Sequence, residues 1–310
     1  MMQLNIKPNQ SIKLINNLYH LPDDKLFYKQ YKIRFPSELI LDKMKKVNLS
    51  LDDVFTIKDN SDYDDGKKEK IMFDYIKYLD DLNDSLLLTI KALTPFPQNH
   101  QDDREVTKWL KKYNSEHYTQ FKDATFSDNE FIRLSSNNIK HDDVRITFMS
   151  LNNFNNKKVY GFYICDIIDE NELSGPKPEI HKPYKNTTTA YSFNHFLLRS
   201  AGIVFLNFYW LNKIIFQKIK NKPYGDNTIY YFFNKLSEIE HEFFPDEYKT
   251  KYAKIIKNEK NITVMYEKFI GNHPVDNIGN INWTLKFNGR DNKSNEKLPY
   301  LSLAYSNKTE

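Results

Sequence analysis

One cysteine, Cys165, stands in a chain of 310 residues, so no internal disulfide can staple the fold. A disulfide-rich secreted scaffold is thereby excluded. The thiol lies in the apolar run Tyr160-Gly161-Phe162-Tyr163-Ile164-Cys165 and reads as buried and inert in a reducing cytoplasm. Glycine is scarce as well. The eight glycines, at 66, 161, 175, 202, 225, 271, 279 and 289, form neither GxGxxG nor GxxxxGK followed by Ser or Thr, which excludes phosphate-cradling loops of those kinds. The chain also lacks a GxSxG nucleophile elbow, an HExxH zinc helix and zinc-type Cys/His spacing. Arginine occurs only at 34, 104, 133, 145, 199 and 290, and the net charge is +4. That balance permits RNA as a partner without requiring it.

No long apolar run is free of interruption. Residues 196–219 come nearest, but Arg199, Asn207, Asn212 and Lys213 break them. A mid-span lysine costs roughly 2.5 to 3.5 kcal/mol in a bilayer, so this stretch is expected to be a helix buried in protein, with no membrane partner. Residues 1–13 lack the continuous apolar core and small-residue cleavage site of a signal peptide, and a cytoplasmic location is expected.

Aromatic residues, by contrast, are plentiful. With 22 Phe, 21 Tyr and 40% hydrophobic residues, the chain has ample material for a packed interior. The abundance of Lys, Asn, Ile, Tyr and Phe suggests an AT-rich coding genome, such as that of a bacterium, a phage or a mobile element. At this length two packed subdomains are expected: a helical bundle over residues 1–142 and a mixed α+β domain over residues 143–310. The expected class is α+β and predominantly helical, an antiparallel helical bundle followed by a mixed part with β-hairpins.

Periodicity fills in the elements. Residues 1–60, broken by Pro8, Pro22 and Pro36, read as short helices and loops, with Ser37 and Ser50 as N-caps. Met72, Tyr75, Ile76, Leu79, Leu82, Leu86, Ile90 and Leu93 recur at helical spacing and predict one long helix over 67–93. A second helix is expected from Asp102 or Asp103 to about 122, and a third from an N-cap at Ser127 to about 141. Alternation then predicts a hairpin of 144–149 with 159–167. Helices follow over 227–244 and 245–257, then strands over 262–266, 281–287 and 298–303. His117 lies on an apolar stripe and reads as a hydrogen-bonded core residue. His195 and Arg199, spaced i to i+4, read as a buried polar contact to an acid from the bundle.

Few residues remain that could carry chemistry. Glu179-Ile180-His181-Lys182 and Glu296-Lys297 lack the context of a metal nuclease and read as solvated surface. His141, Asp142 and Asp143 have metal-ligand chemistry but no further ligands, so neither metal nor cofactor is expected. Arg133, Asn137 and Lys140 or His141 are spaced by four and then three or four residues, which puts them near one helical face. A histidine serves as general base or acid near neutral pH, an arginine stabilises a phosphate in its transition state, and an amide orients either. Such a trio permits metal-free RNA cleavage with the ribose 2′-hydroxyl as nucleophile.

A helical bundle carrying Arg133, Asn137 and a terminal Lys140-His141 resembles the prokaryotic HEPN-like proteins, over residues 67–141. The resemblance implies a cytoplasmic protein of bacterial defence or toxin type and a metal-independent endoribonuclease. Arg133 and His141 would be its catalytic pair and Asn137 the orienting amide, with Asn138 and Lys140 as binding residues. It also implies a homodimer that joins two motifs into one site. Two other readings of the chain stand beside it. Lys140 and His141 complement the negative end of a helix dipole, and asparagine commonly caps such ends, with no chemistry required. The chain is otherwise a non-catalytic interaction module of a bacterial, phage or mobile-element system, presenting Trp283, Phe287, Tyr300 and Tyr305 to a protein partner.

Overall fold

The computed structural model describes residues 2–60, 63–99, 105–141, 144–152, 157–167, 174–182, 188–215, 224–267, 284–287 and 299–300. Over these residues the chain is α+β and predominantly helical, with seven α-helices and two antiparallel sheets. After a short α1 (Lys13–Tyr19), Pro36 opens α2 (Pro36–Ile57), at a helix position where its missing N–H leaves no bond unmade. Ile40, Met44, Val47, Leu51 and Val54 recur at three- and four-residue spacing and are fully buried. They face the matching stripe of α3 (Asp65–Ala92). Asp64 caps α3 by accepting from the Lys67 N–H at 2.9 Å. Lys43 pairs with Asp81 and Lys46 lies over Tyr78, residues about equally far from the 58–64 connection, so α2 and α3 run antiparallel.

The expected long helix over 67–93 is thus present, but residues 1–60 hold a 22-residue helix rather than short pieces. Ser37 is the second residue of α2 and Ser50 lies inside it, where its hydroxyl donates to the Val47 carbonyl at 3.0 Å. Neither is an N-cap. Pro36 starts the helix, and nothing after it until Ile57 is a glycine or proline that would stop it.

The next break also moves. The expected second and third helices are instead α4 (Val106–Tyr113) and an uninterrupted α5 (Ser115–His141). Asn114 makes the break, with φ −150° and ψ 57°. Its carbonyl accepts from the Tyr118 N–H, its side-chain oxygen accepts from the His117 N–H at 3.4 Å, and its amide donates to Thr94 Oγ1 at 2.7 Å. That last bond pins the start of α5 to the end of α3. Ser127 sits mid-helix because no glycine or proline lies between 115 and 141.

The apolar stretch becomes α6 (Phe193–Ile215), buried against α5, α3 and a sheet. No helix among the described residues is long and apolar enough to cross a membrane. The sheet in question is β1 (Met2–Ile6), β7 (Asn261–Glu267) and β6 (Tyr252–Asn258), in the order β1-β7-β6 and antiparallel throughout. Gly202 of α6 admits the Tyr266 ring of β7 against its backbone, since a Cβ there would lie 2.2 Å from the ring. The expected hairpin is β2 (Arg145–Asn152) with β3 (Lys158–Ile167), Phe148 opposite Phe162. β4 (Ser174–Pro176) and β5 (Tyr191–Ser192) pair with β3, and β8 (Thr284–Phe287) pairs with β2.

Three expectations near the C-terminus change. α7 (Thr228–Leu236) stops short of the expected 244, and the helix expected over 245–257 is a 3₁₀ turn, Glu247–Lys249, followed by β6. Pairing with β7 gives the β-branched Ile255 and Ile256 a ladder, a long-range gain that local helix propensity does not register. Of the last expected strand only Pro299 and Tyr300 are described, in a turn; Leu298 and residues 301–303 lie outside the described residues, as do 281–283. Cys165 is half-buried rather than buried. One apolar core runs from Ile6 through α2, α3, α5 and α6 to Tyr266, and β1 pairs with β7, so the parts before and after residue 142 share an interior.

Candidate functional site

Arg133 and Asn137 leave the exposed face of α5 one turn apart, at a cavity of about 330 Å³ between α3, α4 and α5. Among the described residues neither side chain makes a hydrogen bond or an ion pair. Lys140, a turn further on, is tied to Asp80 of α3 at 3.0 Å, so it fastens two helices instead of standing free to bind. Asn138 departs from its expected binding role. One residue past Asn137 the helix has turned by about 100°, and the Asn138 amide is buried, donating to the Leu134 carbonyl at 2.8 Å. His141 closes α5, and its side chain lies outside the described residues.

Two of the lining residues, Asn83 and Asn129, belong to a set of three bonded amides. Asn207 of α6, 1% exposed, donates to Asn83 Oδ1 of α3 at 2.7 Å and exchanges hydrogen bonds with Asn129 of α5 at 2.8 and 3.0 Å. The set fixes the spacing of three helices, because the buried Asn207 would pay a desolvation penalty if its amide lost these partners. At the mouth, Asp84 has its carboxyl raised above the usual range, first by loss of solvent and then by the charge of Asp80, against the pull of Arg133.

A second polar cluster lies around a pocket of about 550 Å³ that shares Glu130 and Leu134 of α5 with the first cavity. His195 does meet an acid, but the acid is Glu247 of the 3₁₀ turn, not a bundle residue. The Glu247 carboxylate accepts from the Ser192 N–H at 2.9 Å, the Ser192 hydroxyl at 2.5 Å and the Phe244 N–H at 2.8 Å. Ser192 Oγ in turn accepts from the His195 N–H and so caps α6. His195 Nε2 lies 2.5 Å from Thr250 Oγ1, and its Nδ1 lies 3.4 Å from Glu247. Arg199 stacks on Phe131 with its guanidinium carbon 3.7 Å from the ring centre. The cluster therefore locks the start of α6 to the segment after α7. Sequence reading found His195 and Arg199 through their spacing; Glu247 and Ser192 carry no local signal.

Next to this cluster the Asp246 carboxyl is pushed up to about 7, by burial first and the Glu247 charge second, while the Tyr300 hydroxyl donates to it at 2.5 Å. The folded chain then holds this proton more tightly than the unfolded chain. Its contribution is fully present below the ordinary carboxylate range and is lost as pH rises towards about 7. Asp246→Asn, which keeps an acceptor for Tyr300, is expected to melt higher than the parent chain at pH 8 and equally at pH 4. Identical melting at both would refute the assignment.

Tyr300 itself is 1% exposed, so it leaves the proposed aromatic partner surface, while Trp283 and Tyr305 lie outside the described residues. His181 is likewise buried and not solvated, its Nε2 accepting from the Ile164 N–H at 2.9 Å, and burial lowers its pKa to about 3. His117 is half-buried and bonded to Asn114. Among the described residues no group of three or more His, Cys, Asp or Glu could hold a metal ion; Asp142 and Asp143 lie outside them. No family model, curated protein or solved structure matches the chain.

Proposed function

We propose that this protein is a cytoplasmic, HEPN-like, metal-independent endoribonuclease of bacterial defence or toxin type, working from the α5 face that carries Arg133, Asn137 and His141. The observation that carries this reading is the uncommitted pair at the cavity mouth, an exposed guanidinium and an exposed amide without partners among the described residues. A guanidinium offers five donors in a planar fork that matches phosphate oxygens, and among the described residues no carboxylate lies in ion-pair contact with it. The Lys140–Asp80 bond supports the reading further by matching the charge of one acid that lines the same cavity.

In this scheme the 2′-hydroxyl gives its proton to His141 while its oxygen attacks phosphorus, and the 5′-oxygen leaves and takes up a proton. Arg133 holds the non-bridging oxygens as charge builds on them, and Asn137 orients the phosphate. Helix rise puts the backbones of Arg133 and His141 about 12 Å apart, more than one phosphate spans. The scheme therefore sets one copy's Arg133 beside the partner's His141 in a homodimer. Incubating the chain with single-stranded RNA in EDTA tests it: cleavage is expected, and Arg133→Ala should slow it without altering the melting temperature, since Arg133 is exposed. Equal rates for variant and parent would overturn the proposal.

A further inference from the structure

The cavity behind Arg133 has a lining of two kinds. One is apolar and aromatic, formed by Leu87, Tyr118, Phe121 and Phe126, and Phe126 keeps 48% of its surface exposed. The other presents a donor beside an acceptor. Asn83 uses its oxygen to accept from Asn207, and its amide NH2 makes no hydrogen bond among the described residues. The adjacent Asp84 carboxylate makes none either. With Asp80 matched by Lys140, the lining balances Asp84 and Glu130 against Lys122 and Arg133.

A purely apolar ligand would leave Asn83 and Asp84 unpaired, and a bare phosphate would leave the aromatic wall unused. A flat heterocycle with a polar edge, joined to an anion, satisfies both kinds of lining and the cation at the mouth. We infer that this cavity is a nucleobase subsite: it takes one unstacked base, with the ring against Tyr118, Phe121 and Phe126, the base edge on Asn83 and Asp84, and the phosphate at Arg133. The inference takes its substrate class from the ribonuclease reading, but its geometry does not involve His141. A base with an exocyclic amine beside a ring nitrogen gives a donor to Asp84 and an acceptor to Asn83. Uracil offers the same pair through N3–H and O4, so this edge reads the presence of a base, and the larger purine ring gains more against the aromatic wall.

Calorimetric titration of the full chain with AMP, UMP and ribose 5-phosphate tests the assignment. AMP is expected to bind about tenfold more tightly than ribose 5-phosphate, the smaller end of what base stacking supplies, and more tightly than UMP. Phe126→Ala and Asp84→Ala, both at exposed positions and so compatible with folding, should each weaken AMP relative to ribose 5-phosphate, and Phe126→Ala should leave ribose 5-phosphate itself unchanged. Ribose 5-phosphate binding as tightly as AMP, or variants that bind AMP like the parent, would overturn the subsite. The two readings fail separately. RNA cleaved by a chain that ignores AMP removes the subsite alone; AMP bound by a chain that leaves RNA intact removes the ribonuclease reading alone.

Discussion

Glu247→Ala is expected to lower the unfolding free energy by about 3–5 kcal/mol, the range for breaking a buried charged network by removing one member. The carboxylate is 2% exposed and satisfies two backbone N–H groups and the Ser192 hydroxyl. Alanine would orphan all three donors and leave His195 facing a void at the start of α6. Since whole domains are stable by only about 5–15 kcal/mol, this one change should bring the chain close to unfolding at ambient temperature. Urea titration followed by circular dichroism reads the effect. Glu247→Gln keeps one acceptor oxygen and should fall between parent and Ala. A midpoint for Glu247→Ala within experimental error of the parent would show that the cluster does not hold α6 in place.

His141→Ala is expected to reduce RNA cleavage by about 10²- to 10⁴-fold, the usual contribution of a positioned acid–base group. The competing structural reading makes a different prediction. A cation at a helix C-terminus contributes only about 0.3–1 kcal/mol to stability, so a pure capping role would cost a small amount of stability and nothing in rate. Measuring melting and cleavage on the same sample separates the two. Mixing Arg133→Ala with His141→Ala adds a test of the homodimer, because a mixed dimer retains one intact Arg133–His141 combination and should recover part of the lost rate.

The parts of the fold legible in the sequence were those with dense local signals. The α3 stripe from Met72 to Ile90 and the β2–β3 hairpin both follow from periodicity, and both have the expected type within a few residues at their ends. The errors came where a distant partner decides. Ser127 has the better capping sequence, yet the break falls at Asn114 because Thr94 of α3 holds its amide. Residues 252–258 lack a strong strand pattern and become β6 because β7 lies beside them, and β1 joins the same sheet from the other end of the chain. The candidate site was half legible. Helical spacing places Arg133 and Asn137 together, but the same rule turns Asn138 inward, and the commitment of Lys140 to Asp80 depends on how α3 packs. The cavity beside them was not legible at all, because its walls come from three helices and two of its lining amides, Asn83 and Asn129, are held by Asn207 of a fourth.

The chemistry of the new RNA ends tests the central claim most directly. Single-stranded RNA incubated with the chain in excess EDTA should yield fragments ending in 2′,3′-cyclic phosphate and 5′-hydroxyl, the products of attack by the ribose 2′-oxygen. Intact RNA, or fragments with 3′-hydroxyl and 5′-phosphate ends formed only when a divalent metal is restored, would contradict the account.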